Sequence, residues 1–235
     1  MARMFTPVLG LCFVALSGCP DELDGNGIRA RETRELDRFS VVESRGSLDV
    51  EVMQDDAYSA LISIDSNLMD RVRTRVEGDR LVIDVRRGIG DTLPGPHVRL
   101  TVPRLHGAIL SGSGSVVVSD FDQDGPILLS LSGSGGILFS GSAPEVEADL
   151  SGSGDITLAG AAEHVVLDLS GSGTIDAEEL EAHTGDIALR GSGGVRATIR
   201  ETARVALDGS GAIDLFGEPE VEVSKSGSGD VNVRP

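Results

Sequence analysis

Three residues at matching places in a repeat are the first candidates for chemistry. Glu145, His164 and His183 each stand twelve residues after the opening Gly of a Gly-Ser-Gly triplet. If successive repeats stack, one carboxylate and two imidazoles about 5 Å apart would share an outer column and could hold zinc. Chance placement of surface His is the competing reading, and no metal or cofactor is assigned. The triplets begin like phosphate loops, but the third Gly of G-x-G-x-x-G is missing, and neither G-x-x-x-x-G-K-[ST] nor G-x-S-x-G occurs. A calcium ladder needs oxygen ligands on every turn. The residue after the triplet is acidic only at Asp155 and Asp230, and is Ser115, Gly136, Thr174, Gly194 or Ala212 elsewhere. No acid cluster with an attendant Arg or Lys recurs on neighbouring repeats, so the carboxylates do not read as a glycan-cleaving pair. Catalytic residues are therefore expected to be none.

The elements that would position these side chains follow from the repeat. Seven triplets start at Gly112, Gly133, Gly152, Gly171, Gly191, Gly209 and Gly227, with spacings of 21, 19, 19, 20, 18 and 18 residues. That period is too short for a propeller blade or a helical pair and suits one rung of a β-helix. Four residues after each first Gly stand Val116, Ile137, Ile156, Ile175, Val195, Ile213 and Val231. Two before it stand Leu110, Leu131, Leu150, Leu169, Leu189 and Leu207, and then Lys225. Stacked at about 4.8 Å, these columns make a continuous apolar core. Intervening positions such as Asp149, Asp168, Asp214 and Asn232 face outward by alternation. The expected fold is all-β, a single-stranded parallel β-helix.

The triplets read as its bends. The Gly pairs are Gly112 and Gly114, Gly133 and Gly135, Gly152 and Gly154, Gly171 and Gly173, Gly191 and Gly193, Gly209 and Gly211, and Gly227 and Gly229. Gly reaches backbone angles closed to other residues and lets stacked bends approach closely. Between them lie Ser113, Ser134, Ser153, Ser172, Ser192, Ser210 and Ser228. Their hydroxyls are expected to form a ladder serving backbone groups or hydroxyls of the next rung. A solvent-facing Ser row that binds a ligand is the alternative. Lys225 in a Leu column, with Arg234 and Pro235, reads as a device against further stacking; side-by-side homo-oligomers stay open.

The amino-terminal residues carry a separate signal. Arg3 precedes an apolar run from Phe5 to Leu16, too short to span a bilayer, which marks residues 1–18 as a signal peptide. Leu16-Ser17-Gly18-Cys19 resembles a bacterial lipobox. The resemblance implies lipid attachment at Cys19 and cleavage before it, an ordinary secretory signal being the alternative. Cys12 would leave with the signal, so no thiol would remain for disulfides, metals or nucleophilic catalysis. Residues 19–35 read as a flexible tether, and residues 36–235 as the folded domain, whose rungs occupy residues 108–235.

A formal charge of −18 excludes nucleic acid as a partner, since phosphate binding needs a basic surface. Arg and Lys are interspersed with the acids, which reads as solubility; attraction for cations or basic partners is the functional alternative. Trp is absent and Tyr58 is the only Tyr, so a stacking platform for sugars or bases is poorly supplied. Alternating runs at residues 47–52, 60–64, 80–85 and 98–102 are half-buried strands, residues 67–72 a helical turn, and residues 88–96 a loop.

The recurring LSGSG-x-I pattern (Leu131 to Ile137, Leu150 to Ile156, Leu169 to Ile175) follows a strand block that includes residues 49–52, 67–68 and 80–83. In this order the two resemble the putative auto-transporter adhesin, head GIN domain family, over residues 36–235. The resemblance implies a β-helical domain on lipoproteins or exported proteins and brings no catalytic residues. The expectation is a lipid-anchored envelope protein, membrane-bound through Cys19, that presents its surface to an unknown protein or glycan. The alternatives are a carbohydrate-active β-helix enzyme and an accessory subunit of envelope-stress sensing.

Overall fold

The computed structural model describes residues 23–86, 89, 92 and 94–235. Residues 1–18, expected as a signal peptide, and Cys19 therefore lie outside the described residues, as do parts of the expected tether and of the 88–96 loop. The described chain is one continuous sheet wound into a parallel β-solenoid. Its regular part begins with β8 (Gly107–Gly112) and β9 (Ser115–Asp122), joined by the first triplet. β10 (Ile127–Gly133) stacks in parallel on β8, and the first half of β11 (Gly136–Gly152) on β9. Strands β11, β12 (Asp155–Gly171), β13 (Thr174–Gly191) and β14 (Gly194–Gly209) each turn part-way, so one strand contributes to both faces. β15 (Ala212–Phe216), β16 (Glu220–Gly227) and β17 (Asp230–Arg234) complete the stack.

The two apolar columns meet in register. Leu131 pairs with Leu150 and Ile137 with Ile156; Leu169 pairs with Leu189 and Ile175 with Val195. From Leu110 to Leu207 and from Val116 to Ile213 these side chains are no more than 2% exposed. Each fully buried side chain contributes roughly 1.5–3 kcal/mol, so the columns are the main cohesive element. Phe121 and Phe139 are the bulkiest of the fully buried side chains.

The amino-terminal third departs from a simple spiral. β2 (Val41–Gly46) and β3 (Asp49–Gln54) form a rung directly beneath β8 and β9. β6 (Arg80–Val85) and β7 (His97–Val102) come later in the chain yet lie beneath β2 and β3. β4 (Ser59–Asp65) and β5 (Val72–Glu77) run antiparallel to β7 and β6, linked by a 3-10 turn at Ser66–Arg71. The expected single-stranded parallel helix thus holds for the repeat, whereas the base is mixed and visited out of order. Reversal closes that end: Ile62, Ile64, Leu68 and Val72 are at most 1% exposed.

The expected tether is also shorter than the sequence suggests. Residues Arg29–Glu35 form β1, antiparallel to β4. Its attachment is polar. Arg29 donates to the carbonyls of Ser63, Pro94 and Gly95, and Arg34 donates to the carbonyl of Val72. Apolar periodicity cannot register a strand held by guanidinium hydrogen bonds, which explains why RARETRE reads as solvated chain.

Candidate functional site

The bends stack without an offset. From Gly112 to Gly191 the carbonyl of each first Gly accepts hydrogen bonds from the next rung's Ser and second Gly; for Gly133 these come from Ser153 (3.0 Å) and Gly154 (3.1 Å). Gly152 has φ +137°, and a Cβ there would fall 2.3 Å from the Gly133 oxygen. Gly154 has ordinary φ, but its Cβ would lie 2.3 Å from the Gly135 oxygen and 2.9 Å from Leu131 Cδ2. The first position thus excludes other residues by angle and space, the second by space.

Backbone amides, not Ser hydroxyls, therefore close the bends, which corrects the expected hydroxyl ladder. Ser113, Ser134, Ser153, Ser172, Ser192, Ser210 and Ser228 are all exposed. Among the described residues their one hydroxyl–hydroxyl contact is Ser210 Oγ to Ser228 Oγ, 3.1 Å. Sequence reading also missed the base of the row: Gly46-Ser47-Leu48 lies beneath the first triplet, where Ser113 and Gly114 donate to the Gly46 carbonyl.

The proposed zinc column does not form. Glu145 pairs with His164, but His164 pairs with Thr184, and its Nδ1 lies 2.8 Å from Thr184 Oγ1. His183 is displaced by one residue and hydrogen-bonds Glu201 through Nδ1 at 3.0 Å. The cause is a register shift after Thr157, where β13 carries extra residues around Asp176–Glu179. Counted back from the following triplet, Glu145, His164 and Thr184 all stand seven residues before its first Gly. The bulge breaks the forward spacing of twelve and leaves the backward spacing of seven intact. No group of three His, Cys, Asp or Glu side chains among the described residues is placed to hold a metal ion.

Two carboxylates near the base are bound into ion pairs. Glu43 is 6% exposed and meets Arg45 Nε at 2.5 Å and Arg80 Nη1 at 2.9 Å. Burial opposes its ionisation, but the hydrogen bonds from Arg45 and Arg80 prevail and hold its pKa below the usual value. Asp84 has the same balance between burial and its Arg75 and Arg73 partners, with the same downward result.

The acids of the central rungs are different. Counted by region, the interspersion of basic residues fails: residues 105–189 contain no Lys or Arg and fourteen Asp and Glu. Glu145, Glu147 and Asp149 alternate along the outer face of β11, with Asp149 directly against Asp168 on β12. Arg190 reaches Asp168 at 3.3 Å, but no Arg or Lys among the described residues pairs with Glu145, Glu147 or Asp149. Burial, then Asp149, Glu145 and Asp168, push the Glu147 carboxyl up; burial and Asp168 do the same to Asp149. Half-buried Leu128 and Val166 flank Glu147 in its own column. Further along this face, Val166, Ala188 and Ala206 line a shallow groove of about 480 Å³ together with Asp168, Asp186 and Arg204. The arrangement offers charge and shape.

A parallel β-solenoid with triplet bends and a mixed, reversed base is the class this geometry defines. Residues 38–219 match the family described as "putative auto-transporter adhesin, head GIN domain", and the chain belongs to that family. Solved structures share the fold. A putative adhesin from Bacteroides fragilis NCTC 9343 superposes with a TM-score of 0.82 at 20% identity, covering 90% of this chain and 100% of its own. A putative adhesin from Parabacteroides merdae ATCC 43184 gives 0.70 at 20% identity, covering 92% and 100%. A putative lipid binding protein from Parabacteroides distasonis ATCC 8503 gives 0.72 at 24% identity, covering 91% and 99%. No curated protein matches the chain. No helix among the described residues is long and apolar enough to cross a membrane.

Proposed function

We propose that this is a lipid-anchored protein of a bacterial cell envelope that presents a rigid β-solenoid for adhesion or protein interaction, without catalysis. The observation that carries the reading is the uncompensated acid row Glu145, Glu147 and Asp149 on the outer face of β11. Like charges on one face, two of them with raised pKa, weaken the fold that carries them. A basic partner surface would relieve that repulsion and gain affinity and association rate from it. The flanking Leu128 and Val166 give the same partner apolar area. The protein's share of the work is positional, since stacked rungs hold each side chain at a fixed place on the grid.

Anchoring rests on Leu16-Ser17-Gly18-Cys19, and family membership supports exported placement. Cells fed an alkyne-tagged fatty acid should label the wild-type protein and not Cys19→Ser, and the wild type should fractionate with membranes. A photoreactive residue at position 166 should cross-link a partner on intact envelopes. Absence of label defeats the anchor; release of soluble fragments from envelope glycans by the purified protein defeats the non-catalytic reading.

A further inference from the structure

The face that bears the acid row also bears a basic patch lower down. Below β11 it continues through β10, β8, β2, β6 and β5, each paired with the next. At the base Arg45 and Arg80 bind Glu43, while Arg73 and Arg75 bind Asp84. The acids lie underneath. The side chains of Glu43 and Asp84 are 8% and 11% exposed, against 46% for Arg45 and Arg80 and 48% for Arg73. A partner at this end of the face therefore meets guanidinium. Arg45 reaches Glu43 through Nε and Arg80 through Nη1, and each fork carries further N–H donors.

The basic and acidic patches are centred on one strand. An outward column runs Arg80, Val41, Gly107, Leu128, Glu147, with Gly107 two strands from either charge. In the adjacent outward column Ile109 stands midway between Arg75 and Asp168, three strands from each. Gly107 and Ile109 both belong to β8. One two-fold axis parallel to β8, lying between two apposed faces, therefore serves both charge pairs. Rotation about it sets each column against itself and reverses the order of the rungs.

Arg80 then faces Glu147 of the other copy, and Arg75 faces Asp168, which Arg190 reaches from its own chain. Asp149 meets Val82, flanked by Arg75 across the strands and by Arg80 along β6. Val41 faces Leu128 and Ile109 faces itself, giving the contact an apolar centre with charges outside it. Glu43 faces Ser130 and Glu77 faces Val166, so these columns oppose no like charges. A two-fold axis along the solenoid would instead set β11 against β11 and acid against acid.

We infer that two copies of this chain pack through this face, with solenoid axes antiparallel, into a two-fold symmetric dimer. The inference rests on reading the acid row as the seat of a basic partner, and names that partner as the base of a second copy. Such a contact is isologous and self-limiting. On the opposite face β1 lies below β4, β7 and β3, so the chain enters at the base. The two bases of the pair point in opposite directions, the arrangement that copies carried on facing surfaces require.

The test uses the full chain in density-matched detergent, followed by sedimentation equilibrium. Wild type should show a reversible monomer–dimer equilibrium that weakens with salt. Glu147→Lys with Asp149→Lys makes one variant, and Arg75→Glu with Arg80→Glu the other. Each alone should dimerise about tenfold or more weakly, and an equal mixture should regain wild-type strength as a heterodimer. Circular dichroism checks folding. If the arginine variant does not fold, Ile109→Lys decides, because it leaves the ion pairs in place, meets its own copy at the axis and should weaken the dimer as much. A wild-type monomer at all concentrations overturns the inference. So does a dimer indifferent to salt and to every substitution, or a mixture of folded variants that fails to recover. If that monomer still binds envelopes, and less so with Glu147→Lys and Asp149→Lys, the basic partner is another molecule. Envelope binding indifferent to that variant overturns both readings.

Discussion

The carbonyl oxygen of Gly133 accepts two hydrogen bonds from the rung above it, and the α-carbon of Gly152 sits so close that a Cβ would lie 2.3 Å from that oxygen. The same contact recurs at each triplet, so the glycines are the condition for stacking at all.

Gly152→Ala should therefore destabilise the solenoid by about 1–3 kcal/mol from backbone strain alone, with the overlap adding to it. Gly154→Ala should also destabilise, through overlap without strain. Urea unfolding followed by circular dichroism measures both. An unchanged midpoint for Gly152→Ala would show that the rungs can separate freely, against the geometry.

Ser153 makes the opposite case. Its hydroxyl is exposed and its bend is closed by amides. Ser153→Ala should change stability by no more than about 0.5 kcal/mol. A loss above about 1 kcal/mol would restore the hydroxyl a structural role.

The regular rungs were legible because three constraints repeat together: an apolar column every rung, a Gly pair and a near-constant period. The base was not. Its topology depends on which of β2, β6 and β8 pair, and their alternation is equally compatible with several orders. β1 was missed because Arg29 and Arg34 hold it by hydrogen bonds. The zinc column failed because one bulge moved Thr184 into the place expected for His183. The acid row on β11 was readable from the absence of Lys and Arg over residues 105–189, but composition taken over the whole chain averages it away.

Arg29→Ala tests the polar attachment of β1. Hydrogen bonds to a charged group are worth about 1.5–3 kcal/mol, and this guanidinium reaches three carbonyls. Amide exchange of residues 30–34 should accelerate strongly while β10–β13 stay protected. Protection that persists in β1 would mean that its pairing with β4 suffices.

Asp149 and Glu43 should respond to pH in opposite directions. Burial and Asp168 raise the Asp149 pKa, so the native state holds its proton more tightly and stability rises as pH falls through that raised value. Asp149→Asn should thus raise the unfolding temperature at pH 7 and lose the advantage below about pH 4. Glu43 has a lowered pKa, so its contribution is present above the ordinary Glu value and disappears as pH falls through the lowered one. Glu43→Gln should destabilise at pH 7 and have less effect in acid. A common sign for the two variants at pH 7 would refute the assignment.

The outer face of β11 is proposed to work by binding a basic partner. Binding isotherms of the purified protein on intact envelopes, taken at low and physiological salt, test it most directly. The prediction is saturable binding that weakens with salt and falls about tenfold or more in Glu147→Lys with Asp149→Lys, while the circular dichroism spectrum is unchanged. Binding that is indifferent to both salt and the paired substitution would contradict the account.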